Sequence, residues 1–190
     1  MDRWESLRQS CSQCRRCALC QGRHNVVFGD GNPNSGILLV GEGPGEQEDL
    51  QGIPFVGAAG QLLDQMLEII DLDRSGYYIA NIVKCRPPGN RDPREEEQQA
   101  CMDYLRAQVR LMNPRVIVCL GRIAAQRLIR KDFRITREHG QWVKVGPFWM
   151  TALYHPSALL RDVSKRPETF EDLMTVQEKL RELELPNRQV

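Results

Sequence analysis

The sequence predicts an α/β fold, a three-layer α/β/α sandwich around a central, mostly parallel four-stranded sheet. Three observations carry that expectation. Short apolar runs such as Ile37 to Val40 and Val116 to Leu120 each end in a glycine, as strands buried on both faces do. Stretches with apolar residues at helical spacing alternate with them, the order of an open parallel sheet covered on both sides. Polar and glycine-rich segments fall where the strands end, the edge at which such sheets bind ligands.

Taken in order, Ile37 to Val40 is the first strand, and Gly41, Gly43, Pro44 and Gly45 make its turn. Leu62, Leu63, Met66, Leu67 and Ile70 share one helical face, so an amphipathic helix comes next. Tyr77 to Val83 is the second strand. Asp92, Pro93 and Glu95 offer an N-cap, an N1 proline and a capping-box residue for a helix reaching about Met112. Val116 to Leu120 is the third strand, Gly121 its turn, and Ile123 to Ile129 a short helix. Trp142 to Val145 and Phe148 to Leu153 flank Gly146-Pro147 as a hairpin, whose second arm delivers Tyr154 and His155. Thr169 to Leu183 is helical, and Leu185 to Val190 a frayed end. The segments at the strand ends are Gly41 to Asp49, Asn81 to Arg91, Gly121-Arg122 and His155 to Arg161.

A chain of 190 residues with 41% apolar content suits a single domain, residues 1–190. Met1 to Arg8 is too polar for a signal peptide, and no apolar run reaches about 18 residues, so a soluble, cytoplasmic protein with no membrane partner is expected. A net charge of +1 gives no overall sign of nucleic-acid binding, and the run Arg127, Arg130, Lys131, Arg134 and Arg137 reads as a solvated face. Cysteine says more. Of seven, four crowd into Cys11, Cys14, Cys17 and Cys20, and in a reducing compartment such clustering points to metal before disulfides.

Gly41-Glu42-Gly43-Pro44-Gly45 superficially matches a dinucleotide fingerprint, but Pro44 and the acidic Glu46, Glu48 and Asp49 oppose a bound pyrophosphate, so no nucleotide cofactor is expected. A loop this rich in glycine instead lets backbone amides approach a planar ligand. It is followed in order by Pro54-Phe55-Val56-Gly57, Asn81-Ile82-Val83-Lys84-Cys85-Arg86-Pro87-Pro88 and His155-Pro156-Ser157. Together these motifs closely resemble family 4 uracil-DNA glycosylases, from about Cys14 to Arg161.

That resemblance implies an enzyme that flips uracil out of single- or double-stranded DNA and hydrolyses its N-glycosidic bond. An abasic site remains, the start of base excision repair, and the protein acts as a monomer. The resemblance also implies a [4Fe-4S] cluster held by Cys14, Cys17, Cys85 and Cys101. Spacing alone leaves three overlapping C-x-x-C pairs; the family pattern, counted back from Gly22-Arg23, selects Cys14 and Cys17. Four thiolates suit zinc equally well by ligand type, so the metal comes from the resemblance. Cys119 reads as core, while Cys11 and Cys20 have no assigned role.

The uracil pocket implied by the family comprises Gly41, Glu42, Gly43, Glu48, Phe55, Asn81 and His155. The Asn81 amide can donate to uracil O4 and accept from N3–H, whereas cytosine presents the opposite pattern. Phe55 would stack on the flipped base, and Glu48 would crowd out the thymine methyl group. Bond breaking leaves negative charge on the ring. A neutral His155 donating to O2, helped by backbone amides near Gly41 and Glu42, would stabilise it. Glu42 and Asn90 are alternative residues for positioning the attacking water. Leu159, on an exposed turn, would wedge into the duplex, with Ser157 and Arg161 on phosphates; helix core is the rival reading for Leu159 and Leu160.

Two other readings stand beside this one: a superfamily member acting on another damaged base such as hypoxanthine, and a non-catalytic metal-binding DNA module. A related subfamily captures uracil covalently through an inserted basic loop. Pro87-Pro88-Gly89-Asn90-Arg91-Asp92 has no such insertion, and Gly43 stands where that subfamily has glutamine, so turnover is expected.

Overall fold

The computed structural model describes residues 2–185. Its strands are β1 (Asp30–Gly31), β2 (Ile37–Gly41), β3 (Tyr78–Asn81), β4 (Val116–Leu120), β5 (Val143–Val145) and β6 (Phe148–Leu153). They form one sheet in the order β1-β3-β2-β4-β6-β5. The four expected strands are its parallel centre, β3-β2-β4-β6. The sheet is nevertheless six-stranded and mixed among the described residues, because β1 and β5 add antiparallel edges. β5 is the first arm of the expected hairpin, turned by Gly146 at φ +57°. β1, two residues long, is too short to carry any periodic signal.

Side-chain alternation divides the central strands between two apolar layers. Leu38, Val40, Ile117 and Cys119 face one cluster, covered by α1 (Arg3–Ser12), α4 (Glu95–Met112) and α5 (Arg122–Leu128). Ile37, Leu39, Val116 and Val118 face the other, covered by α3 (Ala58–Glu68), α7 (Pro156–Arg161) and α8 (Arg166–Glu182). This is the expected three-layer sandwich. The short helices α2 (Glu46–Gln51) and α6 (Ile135–Glu138) complete the helical inventory used below. The basic run lies on α5, α6 and the segment joining them, where Arg130 pairs with Asp132 at 3.4 Å and with Glu138.

Two helix starts differ from expectation. α4 begins two residues later than Asp92 and Pro93 suggest, with Arg94 at the N-cap and Glu97 accepting from the Arg94 amide at 2.7 Å. Asp92 is drawn instead to Arg122, 2.5 Å away. α1 has no strong sequence pattern, since only Trp4, Leu7 and Cys11 of its largely polar residues join the core. The tail helix starts at Arg166, three residues before Thr169. Of the expected frayed end, Leu185 is described and its amide donates to Leu180 at 2.9 Å; residues 186–190 lie outside the described residues.

From β2 the chain passes to β3 on one side and later crosses to β4 on the other, so a crevice opens at the carboxyl end of β2. Register makes the strand ends level there. Gly41 pairs with Asn81, and Leu120 with Leu153. All four polar segments therefore meet at one edge of the sheet.

Candidate active site and thiol cluster

That edge holds a cleft of ≈ 570 Å³, within the size range of small-ligand pockets, and each of the four polar segments contributes to its wall. Its floor is set by Gly41. A side-chain carbon there would overlap Asn81 Oδ1 and come within 2.6 Å of the Phe55 ring, so glycine is what permits these two groups to close on one slot. Asn81 is buried, yet its Oδ1 has no hydrogen-bond partner. A buried amide oxygen without a partner is costly unless a ligand supplies the donor.

Phe55 adopts φ +55°, the left-handed region that non-glycine residues occupy at a cost of about 1–3 kcal/mol. Two clamps hold it. Arg74 Nη2 donates to the Phe55 carbonyl at 2.7 Å, and Glu48 Oε1 accepts from the Val56 and Gly57 amides at 2.9 and 2.8 Å. Glu48 thus lines the cleft with its carboxylate tied to the loop that presents the aromatic ring, a link that sequence reasoning did not find. The Phe55 and His155 rings lie 5.8 Å apart between centroids, tilted by 33°.

His155 follows β6 as the N-cap of α7. Its Nδ1 accepts from the Ser157 amide at 3.2 Å and lies 2.8 Å from the Ser157 hydroxyl. An Nδ1 occupied as acceptor leaves the proton on Nε2. Burial, reinforced by Arg161, pushes the imidazole down to about 4, so it is neutral at physiological pH. Gly121, at φ +90°, leaves room for the His155 side chain; a methyl group there would stand 2.8 Å from its Cβ.

Glu42 also lines the cleft, and burial first and Asp92 second push its carboxyl up to about 7, against the pull of Arg122 and Arg161. Asn90 also lines the cleft, at φ +55°, with Oδ1 accepting from Arg86 Nε at 2.8 Å. Gly43 sits against Val83, where a side-chain carbon would lie 2.8 Å from Cγ2. Arg161 and Arg122 are exposed where they line the cleft, and Arg91 and Lys165 are half-buried there. Arg91 has a further engagement in a two-pronged pair with Glu97 at 2.7 and 2.9 Å.

Leu159 is a correction. It is 1% exposed and packs with the apolar layer under α3 and α8, because a helix turn begins at Pro156 and rotates it inward. The exposed leucine is Leu160, at 43%. Ser157 likewise spends its hydroxyl on His155 instead of presenting it freely.

In a second cavity that shares no lining residue with the cleft, Cys14, Cys17, Cys85 and Cys101 come together with Cys11 and Cys20. Arg23 Nη1 donates to the Cys14 carbonyl at 2.8 Å and to Cys85 Sγ at 3.3 Å, and the Lys84 amide donates to Cys101 Sγ at 3.3 Å. Burial raises the Cys17 and Cys101 thiols and pushes Cys85 up to about 11 and Cys11 up to about 12. Burial also pulls the neighbouring Lys84 ammonium down to about 8. Cys119 is buried in β4, away from this cavity. Among the described residues no three His, Cys, Asp or Glu side chains converge tightly enough to hold a single metal ion. By chemistry the donor set, cysteine sulfurs, is the one that iron-sulfur clusters use.

An α/β/α sandwich with a parallel centre to its sheet and a cleft at its switch point defines the class, and the profile of the uracil DNA glycosylase superfamily matches residues 28–178. The chain belongs to that superfamily, and within it to the type-4 uracil-DNA glycosylases. It is 43% identical over 186 residues to the type-4 uracil-DNA glycosylase of Archaeoglobus fulgidus, covering 94% of each chain. It is 42% identical over 187 residues to that of Sulfurisphaera tokodaii, covering 94% of this chain and 85% of the relative. With that of Thermotoga maritima the identity is 44% over 162 residues, 84% of each. No helix among the described residues is long and apolar enough to cross a membrane.

Proposed function

We propose that this chain is a uracil-DNA glycosylase that hydrolyses the bond between uracil and deoxyribose, leaves an abasic site and so starts base excision repair. The observation that carries the reading is the unpartnered, buried Oδ1 of Asn81, a residue that lines the cleft together with Phe55 and His155. Uracil supplies the missing donor with N3–H, and the Asn81 amide nitrogen donates to O4. Cytosine has no N3–H and would leave the oxygen unsatisfied.

In this mechanism Phe55 stacks on the flipped base, while Glu48 holds the Phe55 loop and closes the side where a thymine methyl group would sit. As the glycosidic bond lengthens, charge grows on O2, and neutral His155 donates to it from Nε2. Backbone amides near Gly41 and Glu42 are in reach of the same ring edge, and Gly43 keeps that turn close to it. Glu42 activates the water, because its ionised form is a base matched to neutral pH. Asn90, whose Oδ1 accepts from Arg86, orients that water through its amide nitrogen. Arg161 engages phosphates beside the cleft, Ser157 keeps its hydroxyl on His155, and the exposed Leu160 takes the wedge role in duplex DNA. Uracil in single strands needs no wedge.

Cys14, Cys17, Cys85 and Cys101 hold a [4Fe-4S] cluster in this reading, supported by four thiols around one cavity and by N–H donors on two of the sulfurs. The cluster supplies a cross-link between the N-terminal segment and the chain from Lys84 to α4. Residues 1–190 then act as one domain, as a monomer.

Base release from uracil, hypoxanthine, cytosine and thymine substrates tests the assignment. Uracil is expected to be the substrate released fastest by the native protein. Asn81→Asp, whose protonated acid can pair with cytosine, is expected to lose uracil release and to gain slow cytosine release. Unchanged uracil preference in that variant would refute the recognition scheme.

A further inference from the structure

Lys84 is 1% exposed, and its Nζ donates to the neutral Gln108 Oε1 at 2.7 Å. No carboxylate among the described residues pairs with it. The Gln108 oxygen is committed to this contact, because its nitrogen donates to the Phe28 carbonyl at 2.9 Å. Polar neighbours of this kind orient an ammonium without neutralising it, and a buried charge without a counter-ion is strongly unfavourable.

The missing negative charge has one source nearby. Lys84 lines the same cavity as the six cysteines. Its own backbone is bound into the ligand set: its amide donates to Cys101 Sγ, and its carboxyl neighbour is Cys85. An iron-sulfur cube bearing four thiolates carries net negative charge, and its reduction potential follows the surrounding charge and hydrogen bonds.

We propose that the buried Lys84 ammonium is the internal counter-ion of the cluster, stabilising its more negative, reduced state and raising its reduction potential. This rests on the four-cysteine assignment made above. It assigns the cluster no electron-transfer step in uracil release; in the test below an electrode supplies and removes the single electron.

The test measures iron content, visible absorption and midpoint potential for the native protein and for Lys84→Met, Lys84→Arg and Gln108→Glu. Lys84→Met removes the charge at similar length, and Gln108→Glu leaves the lysine but gives it a carboxylate of its own. Both are expected to shift the potential negative by at least a tenfold change in the reduced-to-oxidised ratio at fixed potential, about 59 mV for one electron. Lys84→Arg is expected to stay near the native value. If Lys84→Met loses its cluster or fails to fold, Gln108→Glu decides on its own. A native potential in whichever of the two neutralising variants retains the cluster overturns the proposal. Iron-free native protein would overturn the cysteine assignment itself, and the counter-ion with it.

Discussion

Asn81 and Gly41 stand level at the ends of two hydrogen-bonded strands, and Phe55 is clamped by Glu48 and Arg74, so the slot keeps its shape with one buried oxygen unsatisfied. The thiols are held otherwise. Cys14 and Cys17 lie on irregular chain after α1, Cys85 lies beyond the end of β3, and only Cys101 is inside a long helix. There N–H donors already point at two of the sulfurs, while burial disfavours the Cys17, Cys85 and Cys101 thiolates. The contrast teaches that regular structure builds the pocket without its ligand, whereas the thiol region needs its ligand to hold its own parts together. Damage to the first should cost activity, and damage to the second should cost stability.

The largest effect is expected from Cys14→Ala, Cys17→Ala, Cys85→Ala and Cys101→Ala, each losing bound iron and soluble protein. Cys20→Ala is expected to keep both. Iron analysis and yield after purification check this, and an essential Cys20 beside a dispensable Cys14 would show that the wrong pair was chosen. Next comes Gly41→Ala, which places a methyl group against Asn81 and Phe55 and should abolish uracil release with iron content unchanged. A variant that still releases uracil at near-native rate would break the contrast at its firmest point.

Smaller effects sharpen the pocket. Glu42 is ionised above about 7 and protonated below it, while His155 stays neutral down to about 4. Single-turnover release should therefore rise through neutral pH to a plateau and fall roughly tenfold per unit on the acid side. Glu42→Gln should be slow at every pH, and a native-like acid limb in that variant would point to another group. The smallest activity effect belongs to Leu160→Ala, slowing release a few-fold from duplex and not from single strands. Leu159→Ala should instead cost stability, about 2–5 kcal/mol as for other buried leucines.

How much of this the sequence disclosed depends on how strongly each segment is constrained. β2 and β4 are buried on both faces and read correctly to within a residue, as did the meeting of four polar segments at one sheet edge. Local motifs could not say which of two adjacent leucines turns inward, because that depends on where α7 starts; about 100° of helical rotation separates Leu159 from Leu160. Asp92 carries the signature of a cap but pairs with Arg122, a partner 30 residues away. The Ser157 contact that fixes the His155 tautomer, the Glu48 clamp and the isolation of Lys84 are likewise matters of three-dimensional neighbours. Lys84 did leave one trace, a lone charge following the apolar Ile82-Val83 at a strand end.

The central claim is that the cleft separates recognition, through Asn81, from charge stabilisation, through the Nε2 proton of His155. Single-turnover uracil release and affinity for uracil-containing DNA, measured together on His155→Ala, test it most directly. Removing one preorganised donor should slow release by about 10² to 10³, roughly 2.7–4 kcal/mol, while affinity changes only a few-fold and iron content not at all. Release at near-native rate, or a loss of affinity matching the loss of rate, would contradict the account.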